Sequence, residues 1–116
     1  DSDVSDPDDA LPETSVHDLK QRRDAGDAPF VLDVREPYEA EIASIDADQL
    51  IPVDELEDRL DELEAGPDDE IVVHCRSGGR SAKATEFLRE KGYDASNLAG
   101  GVLAWSDEID PDVPKY

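Results

Sequence analysis

The chain has 116 residues, 37% of them hydrophobic, a length that suits one domain able to bury its own core. Its 32 acidic and 11 basic residues give a formal charge of −21, which argues against nucleic acid as a direct ligand because the phosphate backbone would be repelled. No long apolar run or secretion signal is present, and a single cysteine excludes an internal disulfide. We therefore expect a cytoplasmic protein with no membrane attachment.

The acid-rich, lysine-poor composition is typical of proteins that work in molar salt. At 1 M salt the screening length is about 3 Å, which removes the self-repulsion of such a charge. We interpret the chain as halophilic and haloarchaeal in origin; the alternative is an acidic surface specialised for a partner. Methionine is absent, so we expect either a processed protein or a domain excised from a longer one.

The first elements follow an acidic start. Aspartates and two prolines over residues 1–12 predict an acidic flexible tail, followed by one domain over residues 13–116. After a cap at Ser15 or Thr14, the apolar spacing predicts a short helix that ends by Gly26.

The middle of the chain alternates between strands and helices. Residues 30–34 predict a strand, and Pro37 opens the next helix as a proline at its first position. Residues 49–51 predict a second, short strand. Leucines at i, i+4 and i+7 over residues 56–63 then predict one amphipathic helix with a solvated acidic face.

The last third contains the most apolar strand. Residues 71–73 form a β-branched run typical of a strand covered on both faces. From Ser81 the spacing is helical until Gly92, and residues 93–98 predict the last strand. Trp105 lies on a final helix, in the core or in a pocket wall. This alternation predicts an α/β fold with a parallel sheet and helices on both faces.

A loop over residues 75–80 joins the most apolar strand to its helix. In open α/β sheets ligands bind at the carboxyl ends of strands. Backbone N–H groups of such a loop, together with the helix dipole, favour an anion there. Cys75 lies at this point between Arg76 and Arg80, so we expect a lowered pKa and a nucleophilic thiolate. His74 would point to the opposite face of the strand, so we expect it packed under the sheet rather than acting as general base.

The charge distribution supports a basic pocket at this loop. Residues 71–85 contain no acid, whereas a random fifteen-residue window would hold roughly four. The same window carries Arg76, Arg80 and Lys83, which favours an anionic substrate. The alternative is that a buried strand and a small-residue helix start exclude acids, but the three bases argue against a general exclusion of charge.

The string Cys-Arg-Ser-Gly-Gly-Arg-Ser at residues 75–81 resembles the active-site loop of a rhodanese (sulfurtransferase) domain. Leu-Asp-Val-Arg-Glu at residues 32–36, Ile51-Pro52, and Gly-Gly-x3-Trp ending at Trp105 are also similar to that family and occur in its order. The resemblance implies a rhodanese-like α/β domain of the single-domain type, with a central parallel sheet of about five strands. The ending over residues 110–116 is most similar to rhodanese domains associated with ubiquitin-like-protein activating enzymes.

The resemblance also implies a chemistry, in which Cys75 is the catalytic residue. It would take a sulfur atom from an anionic donor such as thiosulfate and carry it as a persulfide. The substrate-binding loop would comprise Arg76, Ser77, Gly78, Gly79, Arg80 and Ser81, with the two arginines on the sulfonate end. Asp33 and Arg35 would brace the loop; the alternative is an ordinary salt-bridge pair. No metal or cofactor is expected, and since no second cysteine exists, the acceptor is an external thiol or a ubiquitin-like sulfur-carrier protein.

Two alternatives to sulfur transfer stay open: a phosphatase or arsenate reductase, and a docking or regulatory module. Arg80 is the fifth residue after Cys75, which resembles the Cys-x4-Arg of sulfurtransferases rather than the Cys-x5-Arg of related phosphatases and arsenate reductases. A catalytically weak docking or regulatory module of a sulfur-carrier activation system is the other alternative, although the intact cysteine argues against it. At residues 43–48 the chain has Ala-Ser-Ile-Asp-Ala-Asp where most rhodaneses carry Gly-His-Ile-Pro-Gly-Ala, which leaves the shape of that connection open.

Overall fold

The computed structural model describes residues 11–115. The strands are β1 Glu13–Thr14, β2 Phe30–Asp33, β3 Gln49–Leu50, β4 Glu70–His74 and β5 Asp94–Leu98. The helices are α1 Val16–Asp24, α2 Pro37–Ile42, α3 Gly79–Glu90 and α4 Gly101–Glu108, with a 3₁₀ turn at Leu60–Glu62. The longest helix over residues 11–115 is α3 with 12 residues, and none there has the length and apolar content to cross a membrane.

All five strands belong to one parallel sheet in the order β1-β5-β4-β2-β3, which confirms the predicted architecture. Asp33 of β2 pairs with His74 of β4, and Val73 of β4 pairs with Asn97 of β5. The carboxyl ends of these three strands therefore lie side by side. Cys75, directly after the central strand, is placed in the middle of that edge.

Helices cover both faces of the sheet, as predicted. Because side chains alternate along a strand, Val72 and His74 point to one face and Ile71 and Val73 to the other. The first face, under α1 and α4, buries Val16, Leu19, Val31, Ala43, Ile45, Val72, Leu98, Val102 and Trp105. The second, under α3 and the turns before β4, buries Leu32, Val34, Ile51, Leu56, Ala65, Ile71, Val73, Cys75, Ala84, Leu88 and Ala95. Each large aliphatic side chain buried here contributes roughly 1.5–3 kcal/mol.

The first residues described already contact the sheet. The flexible tail predicted over residues 1–12 falls, for residues 1–10, outside the described residues. The carbonyl oxygen of Pro12 accepts from the Asn97 N–H at 3.0 Å, one residue before the predicted domain start. The cap of α1 is Ser15, whose hydroxyl accepts from the Asp18 N–H at 3.0 Å, which confirms one of the two predicted caps.

The prediction of an amphipathic helix over residues 56–63 is wrong. The chain runs there through successive turns that end in the 3₁₀ turn Leu60–Glu62. Acidic residues recur four positions apart in this segment, and like charges at that spacing destabilise an α-helix. The pairs are Asp54 with Asp58, Glu57 with Asp61, and Asp58 with Glu62. The leucine spacing still identified the inward side, since Leu56, Leu60 and Leu63 all pack against the second core.

Side chains fix the connection over residues 43–48, where the family pattern has proline and glycine. The guanidinium of Arg23 donates to the carbonyl oxygens of Ile45 at 2.6 Å and Asp46 at 3.1 Å. Asp46 has φ of 62°, in the left-handed region that aspartate tolerates better than most residues. The carboxylate of Asp48 accepts from the backbone N–H of Val31 in β2 at 2.8 Å.

Candidate active site

The loop between β4 and α3 closes around the sulfur of Cys75. Gly78, with φ of 114°, turns the backbone in a conformation that favours glycine. Its N–H donates to Sγ at 3.1 Å, and the Ser81 N–H donates to Sγ at 3.4 Å. The Ser81 hydroxyl also lies 3.4 Å from Sγ. The structure therefore places Cys75, Gly78 and Ser81 together, while Arg76, Ser77 and Gly79 form the outer side of the loop.

Cys75 is 1% exposed, so its sulfur lies at the floor of the loop. Burial by itself raises the pKa of Cys75, because it penalises the charged thiolate. Hydrogen bonds from the Ser81 hydroxyl and from the N–H groups of Ser81, Gly78 and Ser77 outweigh burial and lower this pKa below its ordinary value. The lowering agrees with the expectation from the sequence, but hydrogen bonds rather than the flanking arginines make the largest lowering contributions.

Arg80 is paired with a carboxylate that the sequence did not point to. Its Nη1 and Nη2 donate to Oε1 and Oε2 of Glu39 at 2.7 and 2.8 Å. Glu39 is 4% exposed, and it also accepts from the Glu36 N–H at 2.9 Å in the capping box of α2. The hydrogen bonds from Arg80 lower the pKa of Glu39, and those to Glu39 raise the pKa of Arg80. The pair ties the loop to α2.

Asp33 and Arg35 form a buried salt bridge beneath α2. Arg35 donates from Nε to Asp33 Oδ1 at 3.0 Å and from Nη2 to Oδ2 at 2.7 Å. The same guanidinium donates to the carbonyl oxygens of Ala43 at 2.7 Å and Glu39 at 3.4 Å. A buried ion pair fixes the positions of the groups around it, but it is weak evidence for net stability because desolvation of the two charges offsets their attraction. Arg35 therefore fixes the helix that carries Glu39, the residue that pairs with Arg80.

His74 lies on the opposite side of the sheet from the sulfur, as the alternation predicted. Its side chain is fully buried, and neither ring nitrogen has a hydrogen-bond partner among the residues described. Nε2 is 3.8 Å from Oδ2 of Asp33, beyond hydrogen-bond distance. Burial lowers the pKa of His74 to about 4. The imidazole is therefore neutral at pH 7 and not placed to act as a base on Cys75.

The first residues of α4 hold the backbone of the cysteine loop by hydrogen bonds. The N–H groups of Val102 and Leu103 donate to the carbonyl oxygens of Cys75 and Arg76, both at 3.0 Å. Gly101 has φ of 55°, and a Cβ there would lie 2.4 Å from the Cys75 carbonyl oxygen. Gly100 and Gly101, both with positive φ, form a tight turn that allows this close approach to the loop backbone.

Asn97 is the other group that the sequence did not identify. It is 5% exposed on β5, and its Oδ1 accepts from the Ser81 hydroxyl at 2.5 Å. Its Nδ2 donates to the Gly78 carbonyl oxygen at 3.3 Å. A lone asparagine in a strand followed by Gly-Gly gives no sequence signal for this role, since its contacts depend on the sheet order.

A cavity of about 660 Å³ lies at the opposite edge of the sheet, beside the first residues of β2 and β4. Its arginines are already paired: Arg22 donates to Glu70 at 2.6 Å, and Arg23 binds the carbonyl groups described above. No group of three or more acidic, histidine or cysteine residues within residues 11–115 is arranged to hold a metal ion. The cavity is remote from Cys75 and adds nothing to the site.

Comparison with known proteins gives one family. The model of the rhodanese-like domain matches residues 15–108. The chain is 39% identical over 115 residues to the maize protein named adenylyltransferase and sulfurtransferase MOCS3-2, covering 91% of this chain and 24% of that protein. It is 32% identical over 101 residues to the putative sulfurtransferase YtwF of Bacillus subtilis, covering 87% of this chain and 96% of that protein. The chain thus spans about a quarter of the length of the MOCS3 relative.

A solved structure agrees with the sequence comparison. The crystal structure of a rhodanese-related protein from Thermoplasma volcanium superposes with a TM-score of 0.76 at 35% identity, covering 90% of this chain and 99% of that one. The residues matched by the family model include the strand, the cysteine loop and the helix that form the site described above. The chain therefore belongs to the rhodanese-like domain family, whose relatives include proteins named as sulfurtransferases.

Proposed function

We propose that this protein is a sulfurtransferase that moves a sulfane sulfur from an anionic donor such as thiosulfate to an external nucleophile through a Cys75 persulfide. The observation that carries the proposal is the convergence of two backbone donors, the Gly78 N–H and the Ser81 N–H, on the single thiol, with the Ser81 hydroxyl 3.4 Å away. Donors arranged in advance around one atom stabilise negative charge there without reorganisation. The lowered pKa of Cys75 supports a thiolate as the attacking form.

The reaction takes place in two displacements. The Cys75 thiolate attacks the outer sulfur of thiosulfate, a new S–S bond forms, and sulfite leaves with the electron pair of the broken S–S bond. A nucleophile then attacks the outer sulfur of the persulfide, and Cys75 departs as thiolate. With a nucleophilic acceptor, each step transfers one sulfur atom, and no external oxidant or reductant is needed.

The two loop arginines have different environments. Arg80 is oriented by the bidentate pair with Glu39, whose negative charge offsets part of its attraction for a donor. Arg76 is on the exposed side of the loop, directly after the reacting cysteine. We assign Arg76 to the first attraction of the sulfonate and Arg80 to the shape of the loop and to local positive potential.

The acceptor comes from outside the chain, because Cys75 is the only cysteine and no second thiol can resolve the persulfide. A small thiol is one acceptor class, and it attacks the outer sulfur as a nucleophile. The activated carboxyl terminus of a ubiquitin-like sulfur carrier is the other: here the terminal sulfur of the persulfide attacks the carbonyl carbon, the activating group leaves, and two external thiols release the thiocarboxylate and Cys75 as they are oxidised to a disulfide. Similarity to a protein named as both adenylyltransferase and sulfurtransferase supports the second class. We further propose that the reaction takes place in a cytoplasm of high salt, given the net charge of −21.

The test measures sulfur on the protein and sulfur transferred. Wild-type chain exposed to thiosulfate should gain about 32 Da on Cys75, the mass of one sulfur, and should then convert cyanide to thiocyanate. Cys75→Ser and iodoacetamide-blocked wild type should do neither, whereas Glu86→Gln on the exposed side of α3 should behave as wild type. Turnover by Cys75→Ser would refute the mechanism.

Two outcomes would favour the alternatives. Absence of the added sulfur in a folded wild-type chain would favour a docking or regulatory module. Hydrolysis of an aryl phosphate, with no transfer from thiosulfate, would favour a phosphatase.

A further inference from the structure

Asn97 is placed where it contacts two parts of the cysteine loop at once. It lies on β5, in register with Val73 of the strand that leads to the loop. Its two amide atoms bind different groups: Oδ1 accepts from the Ser81 hydroxyl at 2.5 Å, and Nδ2 donates to the Gly78 carbonyl oxygen at 3.3 Å. The Gly78 carbonyl can only accept, which fixes the orientation of the amide.

The Ser81 hydroxyl has one proton and two neighbours that compete for it. An amide oxygen only accepts, so the 2.5 Å contact places the Ser81 proton on the Asn97 side. The Ser81 oxygen then faces Sγ of Cys75 at 3.4 Å with lone pairs, which suits donation from a neutral thiol. A thiolate needs the opposite arrangement, in which the hydroxyl donates to sulfur.

We propose that Asn97 is a positioning residue that acts through Ser81: it competes with the Cys75 sulfur for the single hydroxyl proton, while its other amide atom holds Gly78 so that the Gly78 N–H points at the sulfur. When the sulfur becomes anionic the hydroxyl proton turns from Oδ1 to Sγ, and it returns when the sulfur is protonated or departs with an acceptor. No covalent bond to Asn97 forms or breaks; only its hydrogen bond from Ser81 is exchanged. The inference deepens the proposed function and rests on it only in taking Cys75 as the reacting residue.

The competition predicts opposite effects for the two partners. Ser81→Ala removes a donor to sulfur and should move the pH midpoint of Cys75 alkylation upward. Asn97→Ala releases the Ser81 proton to the sulfur and should move it downward by about half a pH unit, the size expected of one hydrogen bond. In the Ser81→Ala background, Asn97→Ala can act only through Gly78, so the downward shift should disappear.

The experiment is therefore a double-mutant cycle on Asn97 and Ser81. The readout is the rate of iodoacetamide alkylation of Cys75 as a function of pH. If Asn97 only supported the fold, replacing it would shift the midpoint equally with and without the Ser81 hydroxyl. Ser96→Ala is the matched control, because Ser96 is also on β5 but its hydroxyl lies 2.7 Å from that of Thr14, away from the loop. Its midpoint should equal that of wild type.

The outcomes separate this inference from the proposed function. Equal midpoint shifts for Asn97→Ala in both backgrounds would overturn the competition. If Asn97→Ala fails to fold, Asn97→Asp keeps the shape; its carboxylate should hold the Ser81 proton more firmly and raise the midpoint, by more in the wild-type background than in the Ser81→Ala background. Equal rises would again overturn it. Alkylation does not require sulfur transfer, so a wild type inactive toward thiosulfate would refute the proposed function and leave the cycle interpretable.

Discussion

The Glu39 carboxylate accepts hydrogen bonds from both terminal nitrogens of Arg80, at 2.7 and 2.8 Å, although the two residues are 41 positions apart in the sequence. The carboxylate is almost fully buried, whereas the guanidinium is partly exposed. Arg80 lies in the first turn of α3, directly after the loop, and Glu39 lies in α2, so the pair sets the distance between α2 and the end of the loop. The loop geometry thus depends on an acid outside the acid-free segment of the sequence.

Replacing Glu39 by glutamine should therefore weaken both the fold and the reaction. We expect the free energy of unfolding to fall by about 1–2 kcal/mol, a small value for a buried carboxylate because solvent screens the partly exposed Arg80. We also expect kcat/KM for thiosulfate to fall at least roughly tenfold. Chemical denaturation and the cyanide assay measure the two effects. Glu86→Gln, which removes an exposed charge from α3, is the control, and equal behaviour of the two variants would contradict the assignment.

Cys75 should react over a lower pH range than an ordinary cysteine. Hydrogen bonds in the folded loop lower its pKa, so the thiolate fraction, and with it the alkylation rate, should rise with pH around a midpoint below 9.0. In urea the loop is lost and the midpoint should return to the ordinary value. A midpoint that is the same in the folded and unfolded chains would show that the loop does not stabilise the thiolate.

His74 should make the fold sensitive to mild acid. Its folded pKa of about 4 lies below the ordinary 6.5, so the unfolded chain binds the extra proton and stability falls as pH drops from about 6.5 to about 4. The full loss is about 3 kcal/mol. His74→Leu should remove this part of the pH dependence without lowering stability at pH 7, because the two ring nitrogens have no described partner. Parallel stability curves for wild type and variant would refute this.

Gly101→Ala should damage the site through the backbone. A Cβ would meet the Cys75 carbonyl oxygen at 2.4 Å in a left-handed conformation, so we expect a cost of about 2–5 kcal/mol and a shift of the loop. Thermal unfolding measures the cost, and Cys75 alkylation measures the shift. Gly66→Ala is the control, since its Cβ would have only an ordinary contact at 3.8 Å. A stable, normally reactive Gly101→Ala would show that α4 does not hold the loop.

Salt should stabilise the chain. The turns before β4 carry many exposed carboxylates, with Arg59 bridging only Glu55 and Glu62 among the residues described. Raising KCl from about 0.1 to about 1 M shortens the screening length from about 10 to about 3 Å and should raise the melting temperature steadily. An equal osmolality of sucrose controls for solvent exclusion. A melting temperature independent of KCl would argue against the halophilic interpretation.

The parts of this structure that were predictable from sequence are local. The β-branched run at residues 71–73, the glycines after Cys75 and the helical spacing beyond them identify the strand, loop and helix without long-range information. Glu39 and Asn97 were missed because their partners lie 41 and 16 residues away, and only the sheet order brings them together.

Two patterns gave an incomplete description because each reports one property only. The leucine spacing over residues 56–63 marked the buried side but not the backbone, since a series of turns can place leucines inward as well as a helix does. The acid-free window predicted a basic pocket, yet the carboxylate of Glu39 enters from another element and pairs with Arg80.

The carbonyl oxygens of Cys75 and Arg76 accept from N–H groups at the start of the last helix, and Asn97 precedes that helix. A chain emerging in order cannot complete this arrangement before Leu103 has been made. Before that point we expect Cys75 to titrate as an ordinary thiol, because the loop is not yet held in place. Under the proposed function, the reactivity of Cys75 therefore depends on the folding of residues that follow it in the chain.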